Sequence, residues 1–272
     1  MDFAAVDHKI AALEACIANP VPVSAAEPLF VGVDLGTAYI VVVVLNARKE
    51  PVACALEFAR VVKDGLVVDY TGATGIVRRL VRQLEERLGR KLERAAIAVP
   101  PGTGEREGAT HKYVVEAAGP EVIHILDEPT AANAVLGLSD GVIVDIGGGT
   151  TGLSILEKGR VVYTADEATG GTHLTLVLAG NYRIGLEEAE ALKQQTDRHK
   201  EIFPLVIPVL QKMAGIVERH IRGRDISAVY LVGGTCRLTG MEAILQKEIG
   251  KPVFKPADPF LVTPLGIALN CL

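Results

Sequence analysis

The chain has 272 residues, is 49% hydrophobic and carries a formal net charge of −5, which suits one large or two medium domains and excludes a phosphate-backbone partner such as nucleic acid. Its longest apolar run, Tyr39 to Leu45, is far short of the roughly 20 residues that cross a bilayer, and Asp2, Asp7, Lys9 and Glu14 interrupt any leader-like stretch. Cys16, Cys54, Cys236 and Cys271 lack C-x-x-C spacing, so free thiols in a cytosolic protein are expected rather than a disulfide or metal site.

At the start, Phe3, Val6, Ile10, Leu13 and Ile17 recur at spacings of three and four, which predicts an amphipathic helix over 1–18. Asn19-Pro20 ends it, and Pro20, Pro22 and Pro28 stiffen the linker that completes residues 1–28. The stripe either packs on the body or docks on a partner or shell. Strands are then expected over 29–34, 40–45 and 52–58, from their β-branched runs. A helix over 75–88 carries Ile76, Leu80, Leu84 and Leu88 on one face, closed by Gly89. A strand at 95–99, a helix at 106–118, a strand at 122–126 and a helix at 130–138 follow.

The second half repeats that order. Strands are expected at 142–146, 153–156 and 161–164, then helices at 172–179, 186–196 and 206–221. A strand at 228–232, a helix at 241–249 and a last helix near 264–269 complete the chain. Three strands followed by alternating helix and strand, twice over, predict a duplicated α/β fold with mixed sheets.

Two strings carry the chemistry. In D-L-G-T-A (Asp34 to Ala38) an apolar strand ends in an Asp and a glycine turn, whose backbone N–H groups suit an anion. Thr37 adds a hydroxyl, and Asp34 could hold a hydrated Mg²⁺. The string D-I-G-G-G-T-T (Asp145 to Thr151) offers the same parts a second time. Either alone could be a plain hairpin; the pair points to a nucleotide's phosphates held between two halves. In E-P-T-A-A, Pro129 suits the first helical position and leaves Glu128 at the positive helix end, where a carboxylate could orient a water. Glu190 and Lys193, three apart, share a helix face, as a surface ion pair or as ligand contacts. In V-G-G-T-C-R, Gly233 and Gly234 allow close approach of a flat ring on which Arg237 could stack.

Taken in this order, the five strings resemble the superfamily of actins, DnaK-type chaperones and sugar kinases. G-V-D-L-G-T-A and D-I-G-G-G-T-T look like the bacterial actin MreB, and E-P-T-A-A is similar to the DnaK-type chaperones. K-D-G-L-V-V-D (Lys63 to Asp69) and D-P-F-L-V-T-P-L-G-I-A (Asp258 to Ala268) fit the same pattern. L-D-E-P-T-A, D-I-G-G-G-T-T-G, A-D-E-A-T-G-G-T-H and L-E-E-A-E together resemble the EutJ family of ethanolamine-utilisation proteins, over essentially the whole chain.

The resemblance implies a two-lobed actin-like ATPase fold of duplicated ribonuclease-H-like domains. Lobe I would span 29–140, completed by a C-terminal helix at 263–272, and lobe II would span 141–262. ATP or ADP with Mg²⁺ would lie in the cleft. Asp34 and Asp145 would flank the metal through water, while Gly36, Thr37, Ala38, Gly147, Gly148, Gly149 and Thr150 would cradle the phosphates. Glu190 and Lys193 would meet the ribose, Gly233, Gly234 and Arg237 the adenine, and Glu128 would position the attacking water. A chaperone-like assembly role in ethanolamine catabolism is implied, cytoplasmic and within or beside a bacterial microcompartment, with pathway enzymes or shell proteins as partners and residues 1–18 as a candidate route to them. An actin-like structural protein and, less favoured, a small-molecule kinase are the alternatives. Gly152 stands where the DnaK-type chaperones place an Asp and MreB a Glu, and the segment between Cys54 and Val99 is too short for the insertion that carries a catalytic Lys in DnaK-type proteins. Weak Mg-dependent ATPase activity, or binding without turnover, is therefore expected; a lost positioning group costs on the order of 10²- to 10⁴-fold in rate.

Overall fold

A computed structural model describes residues 3–271. Two five-stranded mixed sheets form its frame. The first contains β1 (Phe30–Leu35), β2 (Tyr39–Leu45), β3 (Pro51–Phe58), β6 (Arg94–Val99) and β7 (Glu121–Asp127), in the order β3-β2-β1-β6-β7. The second contains β8 (Gly141–Ile146), β9 (Thr151–Glu157), β10 (Arg160–Glu167), β11 (Val229–Val232) and β12 (Val253–Phe254), in the order β10-β9-β8-β11-β12. In each, the first three strands in sequence are antiparallel neighbours and the last two pair in parallel. The duplication expected from the sequence is therefore present strand for strand.

Helices α2 (Tyr70–Leu88) and α3 (Glu105–Ala118) cover the first sheet. Helices α5 (Gly171–Tyr182), α6 (Leu186–Gln194), α7 (His199–Ile221) and α8 (Met241–Ile249) cover the second. Between the sheets lies a third core, which α4 (Glu128–Leu136) and α9 (Val262–Leu269) share with β2, β8 and β11. Among the described residues no helix is long and apolar enough to cross a membrane.

Several expected boundaries move. Helix α2 begins at Tyr70 rather than at 75, because Asp69 caps it by accepting from the Gly72 N–H at 2.9 Å and because Ala73 and Thr74 are buried. Helix α4 begins at Glu128 and ends at Leu136, and its cap is Asp127 rather than Glu128. Helix α6 stops at Gln194, followed by a 3₁₀ turn at Thr196–Arg198. Helix α7 runs through Pro204 and Pro208 from His199. Prolines break helices by removing an N–H and crowding the preceding turn, but these two, four residues apart, share the solvent face while Ile202, Val206 and Leu210 are buried. The hairpin β4 (Val62–Lys63) and β5 (Leu66–Val67), and strand β12, were not anticipated; they are only two residues per strand.

Helix α1 (Ala4–Ala18) decides between the two readings of the N-terminal stripe. Val6, Ile10, Leu13 and Cys16 are buried against the body, beside β3 and α9, so the apolar stripe is core and not a free docking face. The helix touches both halves of the molecule. Arg87 of α2 donates to the Ile17 and Ala18 carbonyls at 2.9 and 2.7 Å, Asp7 Oδ1 accepts from the Ala257 N–H at 2.8 Å, and Phe3 packs edge-on against Tyr230 of β11. Residues 1, 2 and 272, at the outer ends of the two expected terminal helices, lie outside the described residues. All four cysteines are buried and unpaired.

Leu13 is fully buried. Leu13→Ala should therefore cost about 2–5 kcal/mol and lower the melting temperature by about 5 °C or more, measured by thermal denaturation; an unchanged transition would mean that the stripe adds nothing to the core.

Candidate functional site

The two sheets place equivalent acids at equivalent strand ends: Asp34 is the fifth residue of β1 and Asp145 the fifth of β8. Each is followed by its glycine turn, and the turns face one another across a cavity of about 830 Å³. Their backbones approach closely, since a Cβ on Gly148 would lie 3.2 Å from the Ala38 Cβ and one on Gly149 would lie 3.1 Å from the Thr37 hydroxyl.

The second turn is held from behind. The Gly147 carbonyl accepts from the Gly171 N–H at 2.9 Å and the Thr235 hydroxyl at 2.7 Å, while the Gly148 carbonyl accepts from the N–H and hydroxyl of Thr172, both at 2.8 Å. This anchoring uses carbonyls. Among the described residues no acceptor takes the N–H groups of Thr37, Ala38, Gly148 or Gly149, the arrangement an anion-binding nest requires. The approach of α5 depends on Gly170, whose Cβ would stand 2.6 Å from the Gly149 carbonyl carbon and 2.7 Å from the Thr150 nitrogen. Gly233 has φ +93°, and any side chain there would strike Asp145 Oδ1.

The floor of the cleft is acidic. Burial, with the charge of Asp145, raises the Asp34 carboxyl to about 7. Burial raises Asp145 to about 6; the Thr263 hydroxyl, donating to its Oδ2 at 2.7 Å, opposes that rise, and Asp166 adds to it. Glu128 is driven well above its ordinary range by burial and by Asp145, Asp34, Asp166 and Asp127. Glu128 sits at the first position of α4, which Asp127 caps by accepting from the Thr130 N–H at 2.8 Å and the Thr130 hydroxyl at 2.7 Å.

Buried carboxylates without cationic partners are costly, and a bound cation would relieve that cost. The donor set fits magnesium, which takes one or two carboxylates and keeps its remaining positions for water and phosphate oxygens. Among the described residues no group of three His, Cys, Asp or Glu could enclose an ion alone.

The rest of the cavity's lining gathers the remaining expected residues. Glu190 and Lys193 form a half-buried ion pair at 2.6 Å, and the Lys193 ammonium also donates to the Thr175 hydroxyl and the Gly171 carbonyl. Their side chains are 16% and 13% exposed, so the surface ion pair is ruled out as a description. Arg237 lies 4.5 Å over the Phe260 ring and is held in a two-pronged grip by Asp258, so its guanidinium enters the site already oriented. Tyr39 reaches across the cleft, donating to Gln194 Oε1 at 3.3 Å and packing against Phe260.

All the expected site residues thus line one cleft, and Gly152 is not among its lining. Four contributors were missed: Thr263, Thr235, Asp64 and Asp166. Asp64 sits in the β4–β5 turn with φ +49°, followed by Gly65 with φ +76°, and the D-G pair between apolar residues was a legible hairpin signal. The other three lie inside motif strings quoted above, but only contacts with distant residues single them out.

Two mixed sheets of one topology, closing on paired phosphate-type turns above acidic strand ends, define the actin-like ATPase fold. A family model described as "Type IV pilus assembly protein PilM" matches residues 110–266, more than half of the chain. The "Ethanolamine utilization protein EutJ" of Salmonella typhimurium is 47% identical over 255 residues, covering 93% of this chain and 90% of that protein. The solved EutJ structure from Carboxydothermus hydrogenoformans is 50% identical and superposes with a TM-score of 0.92, covering 97% of each chain. A chaperone protein HscA homolog of Burkholderia lata is 28% identical, over 76% of this chain and 42% of its own length. The chain belongs to the EutJ family.

Gly170→Ala should displace the second turn and destabilise the fold by about 1–3 kcal/mol. Gly180→Ala, on α5 with nothing within 4 Å of its Cβ, should stabilise it by up to about 1 kcal/mol. Denaturant midpoints of the two variants must move in opposite directions.

Proposed function

We propose that this protein binds ATP and Mg²⁺ between its halves and acts as a nucleotide-switched, chaperone-like assembly factor of ethanolamine utilisation, serving the pathway's enzymes or microcompartment shell. The facing turns above an uncompensated acidic floor carry the nucleotide part of this proposal. Membership of the EutJ family supports the pathway, and the HscA homolog match supports the chaperone-like character.

In this scheme lobe I spans 29–140 with the C-terminal helix, and lobe II spans 141–262. The free N–H groups of the two turns, with the Thr37 and Thr150 hydroxyls, would hold the phosphates. Asp34 and Asp145 would hold Mg²⁺ through its waters, and the ion would supply charge neutralisation at the phosphate oxygens. The Glu190–Lys193 pair would meet the ribose, and Gly233, Gly234 and Arg237 the base. Glu128, at the positive end of α4, would orient a water toward the terminal phosphate. Ligand contacts made by both halves would favour the closed arrangement, which is how a bound nucleotide shifts a two-state surface.

A ligand at a hundred times its Kd stabilises the folded state by about 2.7 kcal/mol, so saturating Mg-ATP should raise the melting temperature by about 5–10 °C. No shift would refute nucleotide binding. Phosphate release from the same sample separates turnover from binding.

Asp34→Asn should act with two signs. It relieves repulsion among the buried acids, so the melting temperature of the metal-free protein rises by about 2 °C or more, while the Mg-ATP shift is largely lost. A variant with both melting temperatures unchanged would remove Asp34 from the site.

A further inference from the structure

Strands β8, β9 and β10 lie side by side, and their registers set three residues in one row: Asp145 of β8 opposite Gly152 of β9, and Gly152 opposite Asp166 of β10. Opposed residues on antiparallel strands project to the same face of the sheet. Asp145 and Asp166 therefore flank a position that has no side chain. Neighbouring strands are about 4.8 Å apart, so a short carboxylate two strands away reaches toward Asp145 only across such a gap. The gap is real: a Cβ on Gly152 would stand 3.4 Å from Asp166 Oδ1, and Pro101 closes the space at 3.7 Å.

Asp166 Oδ1 is itself buried and accepts no hydrogen bond from any described residue. Buried carboxylate oxygens are normally satisfied, which makes an outside partner the natural explanation. Asp166 does not itself line the cavity, but it neighbours Thr150, which does. Burial raises the Asp166 carboxyl above its ordinary range, the Thr150 hydroxyl of the second turn opposes that rise, Asp64 and Glu167 add to it, and its charge is felt by both Asp145 and Glu128.

We infer that Asp166 is a positioning residue that fills the role left open at Gly152, its Oδ1 accepting a hydrogen bond from a magnesium-bound or attacking water between Asp145 and Glu128. The inference rests on the Mg-ATP site proposed above. It deepens that site by supplying a second water-ordering carboxylate from the neighbouring strand, so the glycine does not by itself leave the water unsupported.

The test is calorimetric titration of Mg²⁺ into the protein saturated with a non-hydrolysable ATP analogue, together with analogue binding in EDTA, on the full chain. Outer-shell partners of a metal are worth about 10- to 100-fold in affinity. Asp166→Ala and the isosteric Asp166→Asn should each weaken Mg²⁺ binding at least tenfold, while metal-free analogue affinity stays within about twofold. Gly152→Asp combined with Asp166→Ala should recover most of the loss, because the carboxylate returns to the same row. Single-turnover phosphate release should follow the same pattern. Wild-type Mg²⁺ affinity in both single variants would overturn the role of Asp166 and leave the Mg-ATP site standing. Loss of metal-free analogue binding in Asp166→Asn would also overturn it, by assigning the residue to the scaffold of the turn. A wild-type protein that binds no Mg-analogue complex would overturn the site and this inference together.

Discussion

Backbone-on-backbone contact at the second glycine turn is the constraint on which the rest of the structure depends. Gly170 brings the start of α5 against Gly149 and Thr150, and Gly233 brings the end of β11 against Asp145. These contacts occupy the Gly147 and Gly148 carbonyls, while the Gly148 and Gly149 N–H groups find no acceptor among the described residues. They also bury Asp145, whose charge then bears on Asp34 and Glu128. The unpaired N–H groups and the buried acids are thus produced by one packing arrangement.

The acidic floor is held from both halves and from the segment between them. Thr263 of α9 donates to Asp145 across 118 residues of sequence, and α9 and α4 share the core between the sheets. Helix α1 straps the outside, with polar contacts to α2 on one side and to Ala257 on the other. It also borders the cavity through Asp7, Ile10, Ala11 and Glu14. Movement of the halves would therefore be felt at α1 as well as at the turns.

Much of this was legible along the chain. The duplication, both turns, Asp34, Asp145, Glu128 and the Glu190–Lys193 pair follow from local pattern, because turns and strand ends are specified by neighbouring residues. Boundaries were less legible where tertiary burial overrides propensity, as at Tyr70 to Thr74, or where solvent exposure makes prolines tolerable, as at Pro204 and Pro208. The hairpin around Asp64 carried a readable D-G signal. The fate of the N-terminal stripe did not, since an amphipathic helix looks the same whether its apolar face meets the body or another molecule.

The sequence by itself determined the succession of strands and helices in each half, the glycine turns and the acids that close the first strand of each, because these depend on short-range periodicity and backbone geometry. Only the tertiary structure decided that α1 is part of the core, that Arg237 is already gripped by Asp258, and that Asp166 stands in line with Asp145 across Gly152. Those three facts depend on register between strands and on contacts between residues far apart in the chain, and neither is encoded in the spacing of residues along it.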